Sequence, residues 1–521
     1  MRPALARFWQ FGIDHGTFVS LCAGAFATLA LPPADFMPAF LAFGFVFYRA
    51  AYAAQWRESC RYIGAGAYGW FFASLYWISN SLLIGTADYW FLIPFSLFGI
   101  PVIVSLFWVV GAGIGFRIAH TKAGRMVMMA VMVGLSEWAR EFVATGFPWN
   151  APGLIFLGLD ITASLPAYFG QTGCNFLALF AVILLPLFLH YRHENSDKIA
   201  RMIPLAIAVI LIVMTGLLSY VHRQMSPQNP VDETSGIRVV QPAVPQAEKW
   251  QRDKRDSHLA RLEQLSLAPS NRLIDLVIWP ETAFAGDYHR EASLFDSMAK
   301  NIANAHGASG GAGQLLSGIV RFDAEDKLRN SALLIAEDGT KSLYNKTHLV
   351  PFGEYVPWRS IPFIDAIAGP IDFVAGDEVK PLFAPHFGLV LPLICYEAIF
   401  PALPRRATER PTMIINLTND GWFGHTAGPY QHLAQTRMTA ISYGISVVRV
   451  ANSGISAAFD GKGNLIAALP LGEQGTFDMA RPAQFAPTYF ARFGDVITMS
   501  LFIVLFRVAI GLDRMAKTRQ V

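Results

Sequence analysis

The chain has 521 residues, of which 53% are hydrophobic and only 15% charged, with a formal net charge of +3. Soluble domains carry about 25% charged residues, so much of this chain belongs in lipid. The near-neutral balance argues against a nucleic-acid-binding surface. Cys22, Cys60, Cys174 and Cys395 form no pair with metal-ligand spacing, so neither a metal nor an organic cofactor is expected.

A helix needs about 20 mostly apolar residues to cross a bilayer. The first such run is Gly16–Leu31, closed by Pro32 and Pro33. Others follow at Phe36–Ala54, Tyr62–Gly85, Tyr89–Gly115, Met126–Phe147, Ile161–His190 and Met202–Val221, and a last one at Val496–Leu512. The length criterion makes about eight spans. The first belongs to this series and does not read as a cleaved signal peptide alone. Residues 1–221 are therefore expected to form a bundle of about seven spans, and 492–521 a C-terminal span with a short tail. Glu137, Arg140 and Glu141 fall inside the fifth run. Their spacing puts them on shared helix faces, as a structural ion pair or as the wall of a lipid head-group cavity.

The loops alternate in charge. Arg2 and Arg7, Arg57 and Arg61, the stretch Arg117, Lys122 and Arg125, the stretch Arg192, Lys198 and Arg201, and the tail with Arg514, Lys517 and Arg519 all lie on one side. The opposite loops, Pro32–Asp35, Thr86–Asp88 and Trp149–Asp160, hold no Lys or Arg. The positive-inside rule makes the first side cytoplasmic. Both termini are then cytoplasmic, and the polar segment 222–491 is extracytoplasmic.

That segment mixes short apolar runs with helical patterns. Strands are expected at Ile237–Val240, Leu276–Trp279, Leu316–Phe322, Ser331–Ala336, Leu389–Cys395, Met413–Leu417, Val447–Ala451 and Ser456–Asp460. Helices are expected at Lys249–Leu265, Glu291–Ala305 and Tyr430–Tyr443. The order predicts an α/β layered fold. Asp338-Gly339 and Asp460-Gly461 are hairpin-turn signals, and Gly307 to Gly313 reads as a flexible loop.

Three stretches carry chemistry. Val277-Ile278-Trp279-Pro280-Glu281 places a glutamate at a strand tip, the edge where α/β sheets bind ligands. Tyr344-Asn345-Lys346 ends a strand in a lysine before a loop bearing Pro351 and Gly353. Leu393-Ile394-Cys395-Tyr396-Glu397 delivers a cysteine to the end of an apolar run. Each is weak alone: a strand-end Glu is usually a solvated cap, such a Lys is usually on the surface, and such a Cys is usually a small core residue. Cys395, however, is the only cysteine outside the spans, in a compartment that favours disulfides. Together the three form a set for acyl transfer. Cys395 is the nucleophile and Glu281 the base that takes its proton. Lys346 is the cation that meets the oxyanion beside a backbone N–H.

These residues resemble the nitrilase (carbon–nitrogen hydrolase) superfamily, with its Glu–Lys–Cys triad on an αββα sandwich. Trp279 to Ala283, Lys346 to Tyr355, Ile394 to Glu397, Asn419 to Gly424, Gly428-Pro429 and Gln431-His432 are similar to the bacterial apolipoprotein N-acyltransferase family within it. So is Thr145 to Trp149 in the bundle. The resemblance implies a fold, a membrane α-helical bundle plus an αββα sandwich. It also implies a reaction in the bacterial cytoplasmic membrane, in which a phospholipid acyl group, typically from the sn-1 position, passes through a Cys395 thioester. The acceptor is the N-terminal amine of a diacylglyceryl-modified apolipoprotein. Water must be kept from the thioester.

The resemblance assigns further residues. Glu354 would orient Lys346 or share the base role, and Tyr396 and Glu397 would support the nucleophile, with Glu397 anchoring its loop. Trp250 would stand at the cavity entrance, or be a core aromatic at a helix start. Phe352, Tyr355, Trp358 and Phe363 would form a mobile lid dipping into the interface, or an ordinary hydrophobic loop contact. The sequence departs from the family at Ser442 and Ile445, where a Glu and an Arg are usual, and at Asn345, where an Asp is common. A monomer is expected. Two other functions fit the residues: a membrane-tethered amidase with the same triad, and a non-enzymatic lipid-binding relative.

Overall fold

The computed structural model describes residues 15–84, 87–194, 198–225, 227–357, 359 and 372–518. They separate into two compact units, one holding the chain up to 83, 87–224 and 492 onward, the other 225–491.

The first unit is helical because its apolar runs are too long and too continuous for strands. Among the described residues, four helices are long and apolar enough to cross a membrane: Tyr89–Ile118, Pro166–His193, Lys198–Arg223 and Asp495–Arg514. Gly16–Ala30 and Met37–Ala51 are shorter apolar helices. Trp56–Leu75 and Lys122–Ala139 begin with charged residues, Arg57, Glu58 and Arg61 in one, Lys122 and Arg125 in the other. Small residues let these helices touch. A side chain at Gly24 would strike the Gly66 carbonyl, and one at Gly111 the Met132 backbone.

The charged residues of the fifth run are structural. Arg140 and Glu137, each 1% exposed, pair at 2.5 Å. Trp108 Nε1 donates to Glu137 Oε1 at 2.6 Å, and Arg140 donates to the carbonyls of Phe147 and, at 2.9 Å, Trp149. The pair thus fastens the segment after its helix to a neighbouring helix. Glu141 accepts from the Thr172 hydroxyl. Much of Lys198–Arg223, by contrast, presents exposed Val209, Ile210, Ile212, Val213 and Leu217, a surface suited to lipid.

In the second unit the runs rich in Val, Ile and Leu become strands and pair into two sheets. The first runs β13-β1-β2-β4-β5-β6, with β3 beside β4. Its members are β1 (Asp232–Gln241), β2 (Leu276–Ile278), β3 (Phe284–Asp287), β4 (Gln314–Phe322), β5 (Leu328–Ile335), β6 (Lys341–Asn345) and β13 (Gly475–Arg481). The second runs β12-β11-β10-β9-β8-β7: β7 (Leu382–Ala384), β8 (Gly388–Ile394), β9 (Met413–Thr418), β10 (Ser446–Ala451), β11 (Ser456–Phe459) and β12 (Leu465–Leu469). Each sheet has a parallel centre, β1-β2-β4 and β8-β9-β10, flanked by antiparallel strands. Parallel centres require crossovers, and helices supply them. Arg255–Ser266 and Ala292–Ala308 cover the first sheet around Trp279, Phe295, Leu262 and Ile302. Gly428–Tyr443 packs on β10 and β11.

All the expected strands form, within a few residues of their expected ends. Strands β3, β7, β12 and β13 were not anticipated. Asp338-Gly339 makes the β5–β6 turn, with Gly339 at φ 83°. The Asp460 turn joins β11 to β12, but its positive φ falls on Gly463, because the Asp460 carboxylate gathers the amides of Lys462 and Asn464. Two readings need correction. The Gly307 loop starts later, since the helix continues to Ala308. The expected helix at Lys249 begins only at Arg255, because Lys249 is turned inward to the site described next.

Candidate active site

Strand ends deliver the three predicted residues. Pro280 stops β2, yet the chain stays bonded to β4: Trp279 N donates to Leu316 O at 2.9 Å and Ala283 N to Gly318 O at 3.0 Å. Glu281 sits between them, 8% exposed. Lys346, just past β6, is fixed from both sides by its N–H to Asn330 O (2.9 Å) and by Gly376 N to its carbonyl (2.8 Å). Cys395 follows β8 at φ 49°, a left-handed conformation uncommon for a residue with a side chain.

The side chains converge. Lys346 Nζ lies 3.6 Å from Glu281 Oε1 and 2.9 Å from Glu354 Oε1. Asn330 Nδ2 bridges the two carboxylates, 2.9 Å from Glu281 Oε1 and 2.8 Å from Glu354 Oε1. Glu354 Oε2 also accepts from Val350 N at 2.8 Å. Glu354 is therefore occupied on both oxygens, whereas among the described residues Glu281 accepts a side-chain hydrogen bond at Oε1 only. That difference favours Glu281 over Glu354 as a proton acceptor.

The electrostatics follow. Burial alone would lower the Lys346 pKa, but Glu354 and Glu281 overcome it and hold the ammonium charged well beyond its ordinary range. Burial pushes the Cys395 thiol up to about 12; Glu281 adds to this, while Lys346 opposes it. The resting group is thus a thiol whose proton must be removed during attack.

Glu397 anchors the turn. Its Oε2 accepts from Ile394 N at 2.7 Å. Its Oε1 accepts from Tyr344 OH at 2.8 Å, Thr347 N at 2.7 Å and Thr347 Oγ1 at 2.8 Å. The nucleophile turn and the segment after Lys346 are thus tied to one buried carboxylate. Tyr396 is buried, its ring 5.0 Å from Phe400 and 5.8 Å from His348. Trp250 is 55% exposed in a turn, which removes the core-aromatic alternative. Phe352 is 66% exposed at φ 62°, and Tyr355 is half-buried. Trp358 and Phe363 lie outside the described residues. Asn345 Oδ1 accepts from Arg321 Nη2 at 3.0 Å and Ser331 Oγ at 2.8 Å.

Sequence reasoning missed Asn330 and Lys249. Lys249, 5% exposed, donates to the Glu281 carbonyl at 3.0 Å. Burial lowers its pKa to about 8, against the pull of Glu281 and Cys395. Its one local signal, adjacency to Trp250, could not be told from a helix start.

Residues 237–485 match the carbon-nitrogen hydrolase family model, and residues 23–184 match that of the apolipoprotein N-acyltransferase N-terminal domain. The chain is 33% identical to the apolipoprotein N-acyltransferase of Rhodopseudomonas palustris, covering 94% of each chain. It is 30% identical to that of Rickettsia prowazekii, over 95% of this chain and 98% of the relative. The Bradyrhizobium diazoefficiens enzyme is 34% identical, over 92% and 91%. Among solved structures, a carbon-nitrogen hydrolase from Helicobacter pylori G27 aligns with 52% of this chain and 93% of its own, at 16% identity and a TM-score of 0.36.

Proposed function

The chain belongs to the apolipoprotein N-acyltransferase family, and on that premise we propose how its residues move an acyl group from phospholipid to lipoprotein. As an acyltransferase it needs a nucleophile, a base and an oxyanion site; Cys395, Glu281 and Lys346 fill these roles. Cys395 Sγ attacks the ester carbonyl of the phospholipid while Glu281 takes the thiol proton. Lys346, charged throughout, faces the oxyanion. The intermediate collapses to a thioester, and the lysophospholipid alkoxide leaves with the proton from Glu281. The amine of the diacylglyceryl-modified apolipoprotein then attacks the thioester. Glu281 accepts the amine proton and returns it to the departing sulfur. Glu354 and Asn330 hold Lys346 and Glu281 in place. The observation that carries this reading is the buried cluster in which one cation, Lys346, contacts both Glu281 and Glu354 beside the buried Cys395.

The chain is a membrane protein. The finer assignment, about eight spans with both termini cytoplasmic and residues 222–491 periplasmic on the inner membrane, rests on the apolar runs and loop charges of the sequence. Trp250 and Phe352, both exposed, suit a mouth that faces lipid, and the assembly unit is a monomer.

Mass spectrometry of the protein after mixing with phospholipid vesicles tests the chemistry. The expected result is an acyl adduct on Cys395 that a diacylated lipopeptide discharges. Discharge by water at the same rate with or without lipopeptide would replace transfer by hydrolysis, the amidase reading.

A further inference from the structure

The second unit carries, on the far side of the nucleophile turn, a charged network that none of these steps uses. Asp420, His432 and Arg449 are each at most 1% exposed. Arg449, central in β10, donates to Asp420 Oδ2, to Asn416 Oδ1 at 2.6 Å and to Ile455 O at 3.2 Å. Asp420 Oδ1 also accepts from Thr418 Oγ1 at 3.1 Å. His432, on the helix Gly428–Tyr443, places Nδ1 at 2.9 Å from Asp420 Oδ1 and 3.2 Å from Arg449 Nη2. Its other nitrogen, Nε2, lies 3.1 Å from the carbonyl oxygen of Cys395. A carbonyl only accepts, so Nε2 carries the hydrogen of that contact.

We propose that His432, oriented by Asp420 and Arg449, is a positioning residue that fixes the backbone of Cys395 and thereby aims its thiol. Three observations converge on this. Cys395 sits at φ 49°, a conformation that persists only where the surroundings over-determine it. Glu397 holds the preceding amide, Ile394 N, and His432 holds the carbonyl of Cys395 itself, so the turn is clamped on both sides of the nucleophile. The fold also reserves space for the network, since a side chain at Gly454 would come within 2.4 Å of Asp420 Oδ2. Buried ion pairs are weak sources of stability compared with apolar packing; fixed orientation is what this one supplies. None of the three residues is assigned contact with substrate, so each acts through Cys395.

The inference rests on Cys395 being the nucleophile. The test uses the full-length protein and phosphatidylethanolamine vesicles, and follows single-turnover acylation of Cys395 by mass together with the melting temperature. His432→Gln keeps an N–H near the Nε2 position; His432→Phe and the slimmer His432→Met remove it. The Gln variant is expected within about 3-fold of the parent, and the Phe and Met variants about 100-fold slower, with the phospholipid KM unchanged and melting temperatures close to parental. Parental acylation in a folded Phe or Met variant overturns the proposal. So does a Gln variant as slow as Phe, or a loss confined to KM. Failure of both donor-free variants to fold, with or without the Gln variant, makes the network a folding element and also overturns it. A Cys395→Ala control that still accumulates the same acyl adduct would instead sink the nucleophile assignment, a failure separate from that of His432.

Discussion

Cys395 and its neighbours divide the labour of the site by environment more than by residue type. The thiol, pushed up to about 12, leaves a thiolate fraction on the order of 10⁻⁵ at pH 7. The iodoacetamide alkylation rate of Cys395, followed by peptide mass, is therefore expected to climb about tenfold per pH unit from pH 6 to 10 without levelling. Levelling between about pH 9 and 10 would indicate an ordinary thiol, and a plateau well below about pH 8 a resting Lys346–thiolate pair. Two carboxylates meet the same lysine, and hydrogen bonding separates them: Glu354 is occupied on both oxygens, and Glu281 accepts a side-chain hydrogen bond at one. Glu281 and Cys395 were legible in the sequence because each ends an apolar run, and Lys346 because it closes a strand-like run before a loop bearing Pro351 and Gly353. Asn330 was not, since an Asn near the start of a strand has no local meaning. The β5–β6 register gives it one, by setting Asn330 beside Lys346.

Elements place these residues through close backbone approaches that composition does not announce. The tip of β2 lies so near β4 that a methyl group at Gly318 would come within 2.6 Å of Glu281 Cα and Thr282 N. Backbone cannot yield as a side-chain end can, so Gly318→Ala is expected to displace Glu281. Single-turnover acylation should fall by about 10- to 100-fold, as small misplacements of a reacting group do. Gly307→Ala, where the added methyl meets nothing within 4 Å, should leave the rate unchanged. Equal rates in both variants would show that the β2 tip tolerates the shift. The strands found from sequence are those with buried Val, Ile and Leu. The outer strand β13, half-buried and mixed in composition, lacks that apolar signature, and the edge strand β12 is apolar but short and largely exposed. The helix expected from Lys249 starts late because a buried contact to the Glu281 carbonyl outweighs local helix propensity.

At the scale of the whole molecule, one chain combines a helical unit with exposed apolar faces and an α/β unit with a fully buried charged interior. The proposed topology sets the second unit outside the cytoplasm. Asp338, at the exposed β5–β6 turn, reports on this directly. In a Cys22→Ser background, Asp338→Cys is expected to react with an impermeant maleimide added to intact spheroplasts. Labelling only after lysis would reverse the orientation.

The sequence by itself determined the class of chemistry, the order of the strands that carry it and the division into apolar and polar segments, because strand ends, span lengths and loop charges are local properties of the chain. Only the tertiary structure decided which carboxylate is free to take a proton. It alone drew Lys249 out of its expected helix and set His432 behind Cys395. Those outcomes depend on burial and on hydrogen bonds between residues as many as 49 positions apart, such as Asn330 and Glu281, and no local pattern encodes them.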